Sequence, residues 1–371
     1  MKAVILAGGK GTRVRPLTYK TPKPMLPLVN RPFIYNFILW LKSHGLVDII
    51  LSTCYLPDVF IDYLGDGSSL GVSLTYVTET TPLGTCGAVK NVERYIGSDS
   101  FMVFNGDVLT SLNLTELIEY HKAKKADITI ALTPVEDPTS YGLVPIDEDG
   151  RVIEFLEKPS PEEIVTNLIN AGTYVIESRI MKLVPSGKPY SFERELFPEA
   201  LRRGYRVYGF VSNSYWLDVG TPEKYLAAHY DVLDKKIDFK IPYEEVFQNI
   251  YIGRGAQYSK DNFVSGPIVI GEGTVIESKA KIFPLTVIGS NCRISSGTHI
   301  SGGLIFDNTE IGRNCHIAQA IISKNVKIGE SVRVEGFSVV GDDCVIERDN
   351  ILRHGIKLNV GSRILPGQIF F

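Results

Sequence analysis

Long apolar runs are absent from this 371-residue chain, so no segment reads as a membrane span. Charge of one sign is equally scarce. The net charge is −3, and without an overall basic bias the chain offers no electrostatic footprint for nucleic acid. Cysteine is sparse too: five are present, an odd number with no paired spacing, which argues against a disulfide framework and against a zinc site. No leader peptide stands out, because Met1-Lys2 runs straight into an apolar strand. These absences lead to the expectation of a cytoplasmic protein with no membrane or nucleic-acid partner. Its length suffices for two domains with real cores.

What the sequence does contain is concentrated in residues 4–27, VILAGGKGTRVRPLTYKTPKPMLP. Val4-Ile5-Leu6 suits a buried parallel strand. It runs into Ala7-Gly8-Gly9-Lys10-Gly11-Thr12-Arg13, where three glycines keep the backbone bare and let its N–H groups approach an anion. Arg13, Arg15, Lys20 and Lys23 follow on a loop stiffened by Pro16, Pro22 and Pro24. Strand, bare loop and clustered cations together read as a polyphosphate site. The dinucleotide fingerprint fails at Val14, where its last glycine should fall, and the P-loop spacing does not occur here. An ordinary turn followed by a solvated basic loop is the bland alternative.

Up to about residue 235 the pattern alternates strand and helix. Apolar strand candidates fall at residues 48–53, 73–77, 101–105, 128–134 and 206–210, with amphipathic stretches at 33–44 and 113–124 between them. Such alternation predicts an α/β fold: a Rossmann-like, mostly parallel sheet with helices on both faces and ligands at the C-terminal strand ends. Beyond residue 250 aliphatic residues recur every six positions, from Ile252 through Ile288 and Ile300 to Ile364, with the phase slipping by one at Ile305 and again at Ile322. A short fixed period marks a parallel β-helix, and this one resembles the left-handed hexapeptide-repeat kind. The position two before each aliphatic should also point inward. Small or apolar residues fill it, among them Thr274, Ala280, Thr286, Thr298, Cys292, Cys315 and Cys344, so those three cysteines read as packing residues. The expected organisation is a catalytic domain at 1–235, a connecting segment at 236–250 and a β-helix at 251–371.

Two acids end apolar segments, Asp107 in FMVFNGD and Asp218 in YWLD. Strand-end carboxylates beside a phosphate site are candidate ligands for Mg²⁺, which prefers oxygen and keeps its phosphates and waters. Each alone would more often be a turn or cap residue.

Residues 8–24 match the signature G-G-x-G-T-R-x-x-P-L-T-x-x-x-P-K-P at every fixed position, and the chain thereby resembles the sugar nucleotidyltransferases. The resemblance implies transfer of a nucleotidyl group from a nucleoside triphosphate to a sugar 1-phosphate, with release of pyrophosphate. It implies Mg²⁺ on Asp107 and Asp218, and catalytic roles for Arg13, Lys23, Asp107 and Lys158. The nucleotide would lie against Leu6, Ala7, Gly8, Gly9, Gly11, Thr12, Arg13 and Lys23. The loop Glu79-Thr-Thr-Pro82-Leu-Gly84-Thr85-Cys-Gly would join it, with Asn105 and Gly106. Tyr141-Gly142, Glu157-Lys158-Pro159 and Asn170-Ala171-Gly172 resemble the Y-G, E-K-P and N-A-G elements that bind the sugar phosphate in this family. The P-L-G-T-x-G form of the base loop looks like that of mannose-1-phosphate guanylyltransferases, making GTP and mannose 1-phosphate the expected pair. Thymidylyl, uridylyl or adenylyl transfer to a glucose phosphate is the alternative.

The attacking phosphate oxygen is anionic at neutral pH, so the reaction needs no general base, in keeping with the lack of histidine in these motifs. Two other classes compete. Hexapeptide β-helices often carry acyltransferases, but His299 and His316 should face outward. A silent regulatory subunit would be favoured by loss of Arg13, Lys23, Asp107 or Asp218, and all four are present. The flat faces and open strand edges of a β-helix lead to the expectation of a homo-oligomer.

Overall fold

The computed structural model describes residues 1–157, 160, 162 and 164–369. It divides into two compact units that are not the two halves of the sequence. Met1–Lys10 and Phe37–Asp218 form one; Gly11–Asn36 and the chain from Val219 onward form the other.

The first unit is built on a mixed sheet. Strand Lys2–Leu6 sits at its centre, parallel to Asp48–Thr53 on one side and to Phe101–Asn105 on the other, and Ser73–Thr78 adds a fourth parallel strand beyond Asp48–Thr53. Ala3, Val4 and Ile5 are fully buried, as a strand covered on both faces requires, which is why the run reads as unbroken apolar sequence. Leu168–Ile176 runs antiparallel to Phe101–Asn105 and to Ile128–Pro134. That reversal explains why strand–helix alternation fades after residue 134, since an antiparallel neighbour needs no helical crossover. The predicted 206–210 strand forms as Val207–Val211, parallel to Ile128–Pro134. Helices Phe33–Ser43 and Leu114–Ala123 fall where the periodicity places them. Asn113 caps the latter, its side-chain oxygen accepting from the N–H groups of Thr115 and Glu116. Val152–Leu156 reads as strand-like in the sequence, but it forms only an isolated bridge at Val152, beside one at Arg151, and the short strand Leu156–Glu157.

In the second unit the hexads wind into a left-handed β-helix with three parallel sheets. Successive coils pair at intervals of 18 residues, as in Ile250↔Ile268. The slip in phase is two coils shortened to 17, seen in Val287↔Leu304 and Leu304↔Ile321. The repeated aliphatics form one buried column. Thr274, Ala280, Thr286, Cys292, Thr298, Cys315 and Cys344 are buried beside it, as expected. Burial pushes the Cys292 thiol up to about 12 and the Cys315 thiol to about 11, so both stay protonated and inert.

Residues 11–36 belong to this unit and are fastened within it. Asn30 Nδ2 donates to the Ile288 carbonyl (2.7 Å), the Tyr225 hydroxyl donates to the Pro27 carbonyl, and Lys20 pairs with Asp343. Tyr225 lies on helix Pro222–Leu233. The turn at Val29 and Asn30 has φ of 50° and 63°, a region a β-branched residue rarely enters. Its Val29 N–H is held by His229 Nδ1 at 3.3 Å.

Candidate active site

In the first unit the site begins where strand Lys2–Leu6 ends. The Ala7 N–H donates to the Ser52 carbonyl (2.8 Å) and the Gly106 N–H to the Leu6 carbonyl (3.0 Å), so neighbouring strands hold the exit of the glycine loop. A Cβ on Gly106 would lie 2.7 Å from the Leu6 carbonyl oxygen, a contact no side chain tolerates. One on Gly8 would fall 3.1 Å from Cys54 Cβ and 3.3 Å from Glu79 Oε1. At Gly9 it would meet nothing within 4 Å among the described residues.

Glu79 is buried directly beneath this loop. Its Oε1 accepts from the Ser52 hydroxyl (3.2 Å) and its Oε2 from the Leu83 N–H (2.8 Å). Burial raises its pKa, opposed by those hydrogen bonds. The residue thus pins the start of helix Gly84–Asn91 under the glycine loop. Pro82 and Gly84 stay exposed on the approach. Thr85 turns inward, its hydroxyl accepting from the Phe192 N–H (3.0 Å) and donating to Glu193 (3.2 Å). Cys86 is fully buried and its thiol pKa is pushed far up by that burial, in line with a packing role.

Backbone register brings the segments of the two acids side by side. Strand Trp216–Asp218 pairs antiparallel with Val108–Thr110, setting Asp218 opposite Val108, one residue from Asp107. Both acids are half-buried. Among the described residues no group of three or more His, Cys, Asp or Glu gathers to hold a metal. A pair of carboxylates fits a hard cation that takes its remaining oxygens from phosphate and water.

The expected sugar elements also converge. Gly142 pairs with Glu157, and Leu143 with both Leu156 and Ile169. The Asn170 side-chain oxygen accepts the Gly172 N–H (3.0 Å), closing a tight loop at a register shift in the strand. Gly172 has φ of 73°, and a Cβ there would meet Asn105 Nδ2 at 2.6 Å, so only glycine fits. Lys158 lies outside the described residues. Trp216 is a residue that motif reading passes over. Its indole N–H donates to the Ala171 carbonyl (3.0 Å) and its ring meets Tyr141 edge-on, with centroids 5.5 Å apart. The one signal for it was a tryptophan two residues before a candidate metal ligand.

In the second unit Gly11, with φ of 59°, leads into the 3₁₀ turn Thr12–Val14. A Cβ on it would press on Thr18 at 3.0 Å and on Lys23 Cβ at 3.3 Å, and the Thr18 hydroxyl donates to its carbonyl (2.8 Å). Arg13 is exposed and Lys23 half-buried. The expectation that four cations serve one anion site needs correction. Lys20 is paired with Asp343, and the Arg15 guanidinium stacks 4.7 Å over the Tyr19 ring. Both are used within the protein.

A bare loop at the end of a central parallel strand, with two acids at a neighbouring strand end, defines an enzyme that handles nucleotide phosphates. Comparison with known proteins agrees. The family model described as Nucleotidyl transferase matches residues 2–235, and the EIF2B subunit epsilon LbH domain matches residues 247–352. The mannose-1-phosphate guanylyltransferase of Mycobacterium tuberculosis is 40% identical over 82% of this chain and 79% of its own. The UTP–glucose-1-phosphate uridylyltransferase of Synechocystis is 34% identical over 83% of each. Among solved structures, HddC from Yersinia pseudotuberculosis complexed with GMP-PN is 34% identical, with a TM-score of 0.55 over 62% of this chain and 99% of its own. The chain belongs to the nucleotidyl transferase family. More narrowly, it is a sugar-1-phosphate nucleotidyltransferase carrying a C-terminal left-handed β-helix. Enzymes of this family act on a nucleoside triphosphate and a sugar 1-phosphate and typically use a divalent metal.

Proposed function

We propose that the protein makes GDP-mannose and pyrophosphate from GTP and mannose 1-phosphate, with Mg²⁺ as the metal. The observation that supports this chemistry is the register that pairs Asp218 with Val108, the residue next to Asp107. The substrate pair rests on the P-L-G-T-x-G loop and on the guanylyltransferase relative. A phosphate oxygen of the sugar phosphate attacks the α-phosphorus of the triphosphate. The new P–O bond forms as the bond to the β-phosphate oxygen breaks, and pyrophosphate leaves with that electron pair. No proton need move, so binding and alignment of two polyanions is the protein's main task.

Each group has a place in this reading. Asp107 and Asp218 would hold the metal, whose charge offsets that gathering on the phosphate oxygens. Arg13 stabilises the leaving pyrophosphate through its planar fork of donors, and Lys23 neutralises the triphosphate. Lys158 and Glu157 take the phosphate and hydroxyls of the sugar, beside Tyr141-Gly142 and Asn170-Gly172. Gly9 supports the same view. Among the described residues nothing meets a Cβ built on it, which leaves room for a phosphate to approach its backbone.

Residues 1–235 carry the reaction in this account. The β-helix from residue 251 mediates homo-oligomer assembly, in a protein working in the cytoplasm. Light scattering of the purified chain tests the assembly, and a single-chain mass at all concentrations counts against it. For the reaction, GTP, UTP, dTTP and ATP are screened against mannose and glucose 1-phosphates with pyrophosphate release as readout. GTP with mannose 1-phosphate is expected to dominate. Preference for UTP with glucose 1-phosphate would favour the reading suggested by the uridylyltransferase relative.

A further inference from the structure

Glu193 belongs to none of the motifs described above, yet it sits at the centre of a hydrogen-bonded chain within the first unit. Its Oε2 accepts from the hydroxyls of Thr85 (3.2 Å) and Ser191 (2.7 Å), and its Oε1 from the hydroxyl of Tyr174 (3.2 Å). Tyr174 in turn accepts from Asn170 Nδ2 (2.8 Å), and Asn170 Oδ1 receives the Gly172 N–H. One carboxylate therefore joins the loop at Gly84–Thr85 to the loop at Asn170–Gly172. Its own segment, Phe192–Leu196, is a single π-helical turn, a form frequently found at functional sites.

The direction of every proton in the chain is fixed. The Thr85 hydroxyl already accepts from the Phe192 N–H (3.0 Å), and the Ser191 hydroxyl from the N–H groups of Glu193 (3.2 Å) and Arg194 (3.3 Å). Each has one proton left to give, and both give it to Glu193. The Gly172 N–H orients the Asn170 amide so that its NH₂ faces Tyr174, and Tyr174 must then donate onward. Three hydroxyl protons point at one side chain, and a carboxylate offers acceptors on both branches.

We propose that Glu193 is a positioning residue that fixes the base loop and the sugar loop in one geometry, so that both substrates are aligned by a single half-buried acceptor. This rests on the reading of residues 84–87 and 170–172 as substrate loops. Glu193→Gln keeps the shape but turns an NH₂ toward either the Tyr174 proton or the Thr85 and Ser191 protons. Tyr174→Phe removes one link and keeps the ring, which packs on Phe192 and Phe197 with centroids at 5.0 and 5.2 Å.

The experiment is steady-state pyrophosphate release by the full chain, with each substrate varied separately and thermal melting alongside. Glu193→Gln is expected to raise KM for both substrates about tenfold, the loss that goes with a hydrogen bond to a charged group. Tyr174→Phe is expected to raise KM for the sugar phosphate alone by a similar factor. A role in folding only would lower the melting temperature and leave both KM values where they were. If Glu193→Gln fails to fold, Tyr174→Phe decides. A sugar-phosphate KM within twofold of the parent in Tyr174→Phe overturns the proposal. Absence of turnover by the parent with every substrate pair overturns the proposed function, and this inference with it.

Discussion

Gly8 and Gly9 are adjacent and identical in the sequence, yet the structure separates their roles. Gly8 packs on Cys54 and Glu79, whereas Gly9 faces open space on the protein side. Gly8→Ala should cost about 1–2 kcal/mol of stability as well as activity, because its neighbours must shift. Gly9→Ala should melt like the parent while its KM for the nucleotide rises tenfold or more. Urea denaturation beside kinetics separates the two, and equal stability losses would refute the contrast. Arg13→Ala should slow turnover by roughly a hundredfold or more if Arg13 acts as an electrostatic donor to the leaving group. Asp107→Asn should abolish metal-dependent turnover with the circular dichroism spectrum unchanged, and retained activity would remove it from the metal site. The signature from Gly8 to Lys23, the two acids and the sugar elements were legible because each is a local string with its own spacing. Trp216 and Glu193 were not. Their partners lie at Ala171 and at Thr85, 45 and 108 residues away, and no short window contains such a pair. Lys20 misled for the same reason, since its partner Asp343 lies 323 residues on.

At the scale of the element, the hexad period gave away the β-helix because every inward position repeats in the sequence. A glycine often follows the aliphatic, as in Ile270-Gly271, Ile288-Gly289, Ile311-Gly312 and Ile328-Gly329, and packing between coils is the cause. A Cβ on Gly271 would lie 2.3 Å from the Gly289 carbonyl carbon of the next coil, and one on Gly312 would lie 2.6 Å from that of Gly329. A second signal went unread in the sequence. Three residues after many of these aliphatics the backbone turns left-handed, at Asn291, Asn308, Asn314, Asn325, Asp343 and Asp349 among others. These residue types tolerate that region, as the spacing could have revealed. Lys279 occupies the same slot with φ of 61° and is exposed. Lys279→Gly should therefore stabilise the β-helix by roughly 0.5–1 kcal/mol, the left-handed penalty less the entropy of glycine. A rise in melting temperature checks it; a fall would show that the lysine contributes more than its backbone costs.

Over the whole molecule, strand–helix alternation foretold the sheet, and a linear reading foretold a boundary near residue 235. The folded chain groups residues differently, with Gly11–Asn36 counted alongside the segment from Val219. No local pattern announces such a return, because it depends on which distant surfaces meet. His229 marks it thermodynamically. Fully buried on helix Pro222–Leu233, it has its pKa driven by desolvation from 6.5 down to about 3. The folded state keeps it neutral while the unfolded chain protonates it. Its contribution is thus complete above pH 6.5 and is lost as pH falls toward 3, at about 1.4 kcal/mol per pH unit. Buried His121, also shifted down by desolvation, adds to the same trend. Urea midpoints measured from pH 7 to pH 4 should fall more steeply in the parent than in His229→Asn, and parallel curves would contradict this.

The fastening of residues 11–36 also bears on how such a chain can evolve. Asn30 holds the carbonyl of Ile288 and Lys20 holds Asp343, so the segment that carries Arg13 and Lys23 has inherited partners in the repeats. A β-helix of this ancestry is not a cassette to be exchanged by recombination at residue 235. Changes in its coils must be answered by changes in the segment that carries Arg13 and Lys23. Chimaeras that graft a foreign β-helix should recover activity only when residues 20 and 30 are transplanted to match.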